Sequence, residues 1–567
     1  MHELIYKLKV IKCFINHALV MFEAIILITI SYELHGQTAP DKYRILLSDK
    51  NNSPFNTANP QAFLSNRAIQ RRLNQNIPIK QNDIPVNQSY VSAVKNTGAT
   101  ILTKSKWFNC LTVYADSSAL SEISALPFVT GYNKVIARNI APKQPFENES
   151  EEPALFKDYS NSTNLFNYGY ADNQIQMLNG IALHNQGYQG QGIVIAVLDA
   201  GFYNVDDLPA FDSLWENKQI LGTRDFVDND TMVYDAHTHG MQVLSIIGGN
   251  MPGELVGTAP KAKFWLIRTE DTGSEFIIEE DNWVAGAEFA DSAGADIITT
   301  SLGYNTFNDP VQNHTYADMD GNTARATIGA DIAASKGMLV VVSAGNDGNS
   351  SWYYIGSPAD ADSVIAVGAV DSAGYYVFFS SHGPTYDGRV KPNVTAKGYL
   401  TAIQSSSGSV TLGNGTSFSC PLISGLAACL WQANPGFTNM ELLHAIEMSA
   451  DHYQNPDNNT GYGIPNFAQA NLILNKYDDF TENNYICVFP NPFSNYLNIE
   501  FYTVDSQSVN IEISDIVGRI IYSGKKPTFS NSFNFININD LTCLSRGIYI
   551  IKLTSDSISF QTKIIKN

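Results

Sequence analysis

The chain has 567 residues, 44% hydrophobic and only 16% charged, with a formal net charge of −20. That length exceeds one ordinary domain, and the composition excludes a disordered or coiled-coil protein. The acidic balance, with no long basic run, argues against nucleic acid as the main partner and suits the acidic surface of a soluble exported protein.

Lys7, Lys9 and Lys12 precede the short apolar run Ala24-Ile25-Ile26-Leu27-Ile28-Thr29-Ile30, and His35-Gly36-Gln37 ends in a small residue. Basic region, apolar core and small residue predict an export signal over residues 1–36. Met21 is an alternative start that would remove the lysines. The run is short for a bilayer and Glu23 interrupts it, so an uncleaved anchor is the weaker alternative.

Residues 37–137 predict a small α+β unit. Lys42–Leu47 reads as a strand and Pro60–Leu73 as a helix, with Pro at its start and Phe63, Leu64 and Ile69 at helical spacing. Strands at Ala99–Thr103 and Leu111–Ala115, a helix at Ala119–Leu126 and a strand at Val129–Ile136 follow. Residues 138–165 carry Glu147-Asn148-Glu149-Ser150-Glu151-Glu152-Pro153 and no hydrophobic period. They predict an exposed linker, where a processing cut is easiest.

Between 166 and 476, apolar runs alternate with helical stretches. Ile193–Leu198, Ala262–Ile267, Ile297–Thr300, Met338–Val342 and Val364–Val367 read as strands buried on both faces. They imply an α/β fold with a parallel sheet and helices on each side. Asp199 closes the first run, where such sheets place their sites. His239 opens His239-Gly240-Met241-Gln242-Val243, with His237 as the competing candidate. The acidic stretch from Thr269-Glu270-Asp271 to Glu279-Glu280-Asp281 reads as a solvated loop and helix N-terminus, with calcium or basic substrates as the other readings. Asn346 lies in the turn Ser343-Ala344-Gly345-Asn346-Asp347-Gly348. Ser417 stands in Gly415-Thr416-Ser417-Phe418-Ser419-Cys420-Pro421, at the head of an apolar helix. Free N–H groups and the positive dipole end stabilise negative charge there. Pro421 is expected in that helix's first turn, where a missing N–H costs little.

Asp199, His239, Asn346 and Ser417, in this order and in these motifs, resemble the subtilisin-like serine peptidases. Chymotrypsin-like and α/β-hydrolase triads run in other orders. The resemblance implies that Asp199 orients the base, His239 acts as general base and then acid, Ser417 is the nucleophile, and Asn346 donates to the oxyanion. It implies that Ser301-Leu302-Gly303 binds the substrate backbone as an added strand and that Gly356, in Gly356-Ser357-Pro358, walls the S1 pocket. Met241, where the family has Thr, and the bulk of Phe418, Ser419 and Cys420 depart from the pattern and put helix packing in question. Residues 37–137 resemble the family's propeptides, which chaperone and inhibit the enzyme. No cofactor is implied. Calcium stays open, because many members bind it, but no Asp-x-Asn-Gly-type loop stands out and no metal ligands are named.

Residues 484–567 predict a small β-sandwich of short alternating strands: Tyr496–Tyr502, Val509–Ile513, Arg519–Tyr522 and Ile548–Thr554. Pro490-Asn491-Pro492, Asp515-Ile516-Val517-Gly518-Arg519, Arg546-Gly547-Ile548-Tyr549 and the basic end resemble the type IX secretion C-terminal sorting domain of Bacteroidetes. The implied partners are protein or peptide substrates, the chain's own propeptide and the type IX machinery; a monomer is expected. The implied location is outside the cell or on its surface, in a Gram-negative Bacteroidetes-type bacterium. Six cysteines make no disulfide framework. Cys420 and Cys429, roughly 13 Å apart along one predicted helix, are too far apart to bridge. Cys487 and Cys543 are a candidate pair.

Overall fold

The structure, a computed structural model, describes residues 41–135 and 164–475, the dipeptide Glu152–Pro153, and 486–567 apart from short gaps. The predicted export signal, most of the linker and the side chains of Cys487 and Cys543 lie outside the described residues.

The N-terminal unit is a four-stranded antiparallel sheet with helices. Its strands are β1 (Asp41–Leu47), β2 (Thr100–Ser105), β3 (Cys110–Ala115) and β4 (Val129–Lys134), in the order β2-β3-β1-β4. The expected helix over 60–73 is broken in two. A single 3-10 turn at Pro60–Ala62 is followed by α1 (Asn66–Asn74), which restarts where the Ser65 hydroxyl accepts the Ala68 N–H. A serine at that position caps a helix by satisfying one of its unpaired donors. Helix α2 (Gln88–Asn96), capped by Asn87, is not among the predicted elements, and α3 (Ser117–Ser124) lies where expected. Ile45, Leu111, Val113, Val94 and Ile123 form this unit's core.

The central domain is a seven-stranded sheet with every neighbouring pair parallel. In chain order its strands are β5 (Val194–Asp199), β6 (Ile220–Asp225), β7 (Lys263–Arg268), β8 (Ile297–Thr300), β9 (Leu339–Ser343), β10 (Val364–Val370) and β11 (Val394–Lys397). The spatial order is β11-β10-β9-β8-β5-β7-β6. The chain leaves β5 toward one edge and returns with β8 to its other side, so the winding reverses at β5. Ligands of such sheets bind in the crevice at the strand ends beside that reversal. Among the helices that cover the sheet are α4 (His239–Gly248), α5 (Ile278–Ala293), α6 (Arg325–Ser335) and α7 (Thr416–Ala433). Helix α4 and the first sixteen residues of α7 are wholly buried, packed in one core with Val197, Val341 and Val367 of the sheet. The other face of the sheet packs on α5 and α6 through Trp283, Ala287 and Ala330.

The C-terminal unit is two antiparallel sheets. One joins β12 (Ile486–Phe489), β13 (Leu497–Thr503) and β16 (Ser532–Ile538). The other joins β14 (Ser508–Asp515), β15 (Ile520–Pro527), β17 (Gly547–Thr554) and β18 (Ser559–Lys566) in the order β15-β14-β17-β18. Ile499, Phe501, Ile511, Ile513, Ile551 and Leu553 fill the space between them.

The N-terminal unit sits on α5 through buried charge. Asp291 receives Arg71 at 2.6 Å, Arg72 at 2.8 Å and Lys106 at 2.9 Å. Glu288 accepts the Ser105 hydroxyl (2.6 Å) and the backbone N–H groups of Lys106 (2.7 Å) and Trp107 (3.0 Å). Asp83 accepts Arg72 and, from α6's C-terminal end, Lys336 at 2.9 Å. Removing one partner of a buried pair leaves the others as uncompensated charges. Asp291→Ala is therefore expected to weaken docking of this unit by about 3 kcal/mol. The readout is faster amide exchange over residues 66–105, and exchange at the parent rate would contradict it.

Candidate active site

Asp199 ends β5 with its side chain buried. Its Oδ1 accepts the Ala200 N–H at 2.7 Å and lies 2.7 Å from Nδ1 of His239, the first residue of α4. Two glycines permit that approach. A Cβ on Gly240 would overlap the Gly201 carbonyl oxygen and stand 2.9 Å from the Asp199 Cβ, and Gly201 has a φ of +151° that favours glycine. His237, the competing candidate, sits 6.5 Å away ring to ring, with its Nδ1 accepting the His239 backbone N–H at 3.2 Å. It is His239 whose ring meets Asp199.

Ser417 is the second residue of α7, after a Gly415 N-cap with φ +152°. N–H groups in the first turn of a helix have no acceptor within it. The ring of Phe418, next in sequence, is 6.3 Å from the His239 ring, so the first turn of α7 lies beside the start of α4. Asn346 joins them. Its Oδ1 accepts both the Thr416 backbone N–H (2.9 Å) and the Thr416 hydroxyl (3.0 Å), and that hydroxyl accepts the Gly345 N–H at 3.2 Å. A backbone N–H can only donate, so the atom facing it must be the amide oxygen. The amide nitrogen of Asn346, with its two donors, is thereby turned away from Thr416. Thr416 is not among the predicted site residues, although it stands directly before the serine.

Pro421 falls in the second turn of α7, not the first, because the helix already begins at Thr416. Proline there removes the N–H that would bond the Ser417 carbonyl four residues back. The Ser301 hydroxyl takes that place, donating to the Ser417 carbonyl at 2.9 Å. The bulk after Ser417 is also accommodated. Phe418 is fully buried where Gly413 has no side chain, since a Cβ on Gly413 would overlap its ring. The Ser419 hydroxyl bonds the Thr416 carbonyl at 2.9 Å, and Met241 is buried in the core.

Ser301, Leu302 and Gly303 follow β8 directly. Tyr304 exchanges two backbone hydrogen bonds with Ser357, N–H to O at 2.7 Å and O from N–H at 3.1 Å, which sets Gly356 against this segment. Asn305 Nδ2 donates to Asp347 at 2.9 Å, tying the same segment to the turn that carries Asn346.

The acidic stretch does end in a helix N-terminus, with Glu279, Glu280 and Asp281 in the first turn of α5, but its carboxylates are not solvated. Glu270, Glu279, Glu280 and Asp281 are buried, each against protein partners. Glu270 accepts the hydroxyls of Tyr304 (2.6 Å) and Thr269 (2.8 Å). Glu279 accepts the Asp271 N–H at 3.1 Å. Glu280 accepts from His314 and from the Ala326 N–H, and Asp281 pairs with Arg44 and Arg325. Partners from distant segments are invisible to composition, which reads any run of carboxylates as surface. Burial pushes the Glu270 carboxyl up to about 7 and holds Glu279 well above the usual carboxylate range.

Comparison with known proteins fits this geometry. The model of the Subtilase family matches residues 190–463. Subtilisin E of Bacillus subtilis is 30% identical over 369 residues, which cover 64% of this chain and 81% of that protein. The chain belongs to the subtilase family. Subtilisin of Bacillus pumilus is 34% identical over 285 residues, 49% of this chain and 90% of that one. A Peptidase S8 propeptide domain model, specific to Bacteroidota, matches 42–152, and a Secretion system C-terminal sorting domain model matches 487–567. This subtilase is a subtilisin-like serine endopeptidase with a propeptide and a type IX sorting domain.

Two substitutions probe the packing. Gly240→Ala is expected to push α4 off β5, part His239 from Asp199 and lower kcat/KM by about 100-fold, with the far-UV circular dichroism spectrum kept; parent activity would contradict it. For Glu270 the folded-state pKa exceeds the usual 4.5, so folding takes up a proton. Its contribution is intact below the unfolded value and is lost as pH rises to about 7. Glu270→Gln keeps the acceptor for Tyr304. It is expected to raise Tm by a few degrees at about pH 8 and to leave it unchanged at about pH 4. Equal Tm values at the higher pH would contradict the buried protonated carboxyl.

Proposed function

We propose that the chain is an exported endopeptidase that cleaves peptide bonds of proteins through an acyl-enzyme on Ser417. What carries the reading is the 2.7 Å hydrogen bond between Asp199 and His239, beside the helix terminus that presents Ser417. Ser417 Oγ attacks the scissile carbonyl while His239 Nε2 takes its proton. Asp199 holds the ring through Nδ1 and stabilises the imidazolium. The oxyanion receives the Ser417 backbone N–H and the Asn346 amide, whose orientation Thr416 fixes. His239 then passes the proton to the leaving amine, and water repeats the sequence to free the acyl group.

The substrate lies extended beside Ser301, Leu302 and Gly303, as a strand added to an existing edge. Gly356 leaves room for a large P1 side chain. The N-terminal unit, held by its charged contacts with α5, keeps the enzyme inactive until the linker is cut. The sorting domain directs the protein through the type IX machinery to the outside or the surface of a Bacteroidota cell.

The test is fluorophosphonate labelling of the processed protein, with Ser417→Ala as control. Label that disappears in the variant supports the nucleophile. No label on folded protein freed of residues 37–137 would overturn the peptidase mechanism and favour a subtilase fold used only for binding. Asn346→Ala is expected to lower kcat roughly 100- to 1000-fold with little change in KM, a range taken from removal of the same kind of donor in subtilisin.

A further inference from the structure

The C-terminal unit buries one face of its four-stranded sheet and leaves the other in solvent. Inward positions Val509, Ile511, Ile513, Ile551 and Leu553 are buried. The outward positions between them are expected to be polar. At one end they are not. Ser514 pairs with Ile520 on one side and Ile550 on the other, and Ile548 pairs with Ile565. All four isoleucines stand on the outer face by the alternation of the strands.

The hairpin tip between β14 and β15 adds to them. Ile516 is 74% exposed and Val517 84%, with Ile520 at 55% and Ile548 at 47%. This tip is rigid. The Asp515 carboxylate accepts the N–H groups of Val517 (3.1 Å) and Arg519 (2.9 Å) and the Arg519 Nε (3.1 Å). The Asp515 carbonyl accepts the Gly518 N–H at 3.0 Å, and Gly518 has φ +85°. Turn positions ordinarily carry polar or small residues. Here a fully braced turn holds two branched aliphatics in water beside four isoleucines. A contiguous exposed apolar patch of this kind marks an interaction site.

Resting on the sorting-domain reading of residues 487–567, we infer that this patch is the surface by which a protein component of the secretion machinery grips the tail. The partner offers an apolar groove edged by carboxylates. Lys552 and Lys563 lie on the same outward face as the patch, and the matched region carries seven basic against six acidic residues within a chain of net charge −20. The charge also separates this partner from a second copy of the chain. A two-fold contact uses the same patch on both copies and would set these lysines against their own equivalents.

The experiment uses the full chain in a Bacteroidota host with a working type IX system. Three forms are compared: the parent, Ile516→Asn/Val517→Thr/Ile548→Thr, and a deletion of 487–567. The deletion is expected to stop export. The triple variant is expected to lower the exported fraction on the order of tenfold, with folded, protease-resistant protein accumulating inside the cell envelope. Asn510→Thr, on the same face but far from the tip, is expected to leave export unchanged. Where the triple variant proves unfolded, Val517→Asn alone, at the most exposed turn position, takes its place. Export of the patch variant at the parent level, with the deletion retained, overturns the patch and leaves the sorting reading standing. Export of the deletion overturns both. Patch-dependent dimerisation in sedimentation, or patch-dependent binding to phosphatidylglycerol vesicles, alongside normal export, assigns the face to another occupant and overturns the proposal.

Discussion

A carboxylate buried at the end of a β-strand costs several kcal/mol unless it is fully hydrogen-bonded. Asp199 offsets part of that cost through a single oxygen, Oδ1, which accepts one backbone N–H and meets one imidazole nitrogen, both at 2.7 Å. The imidazole belongs to a different element, so the bond also fixes where α4 starts. It holds only because Gly240 and Gly201 let helix and strand ends approach without a side chain between them. Around this contact the crevice at β5 is closed by α7, and the hydroxyl and N–H of Thr416 set the amide beside it. The chemistry of the site is thus a consequence of backbone proximity as much as of the reactive residues.

The same logic governs the acidic segment after β7 and the docking of the propeptide. Glu288 and Asp291 on α5 are covered by a domain that brings its own cations and N–H groups. Glu270 and Glu280 are met by Tyr304 and His314 instead. A protein of strongly negative net charge therefore places many carboxylates inside its packing, where each selects a specific partner. Such contacts contribute little net stability against an apolar alternative, but they do set which surfaces match.

Much of this is legible in the chain. The apolar runs at β5, β7, β8, β9 and β10 read as buried parallel strands, because helices cover both faces of the sheet and leave no polar alternation. The strands that escape are at its edges. β6, Ile220–Asp225, carries Gly222, Thr223, Arg224 and Asp225 and is half-buried, and β11 is four residues ending in Lys397. Asp199, His239, Asn346 and Ser417 stand out by motif, and the structure bonds Asp199 to His239 and Asn346 to Thr416, directly before Ser417. What escapes there is relational. The partner of the Ser417 carbonyl is 116 residues away, and the residue that orients Asn346 is 70 away. The acidic stretch misleads for the same reason.

The proline in the second turn of α7 carries one more implication. A helix that lacks its own bond to the Ser417 carbonyl does not hold the nucleophile's turn by itself; a hydroxyl from the end of β8 completes it. The reactive geometry is therefore a tertiary property that exists only once the middle of the sheet has formed. A nascent or unfolded chain carries the serine but not the machinery. For a protease made inside one compartment and meant for another, that dependence is a safeguard written into the folding order.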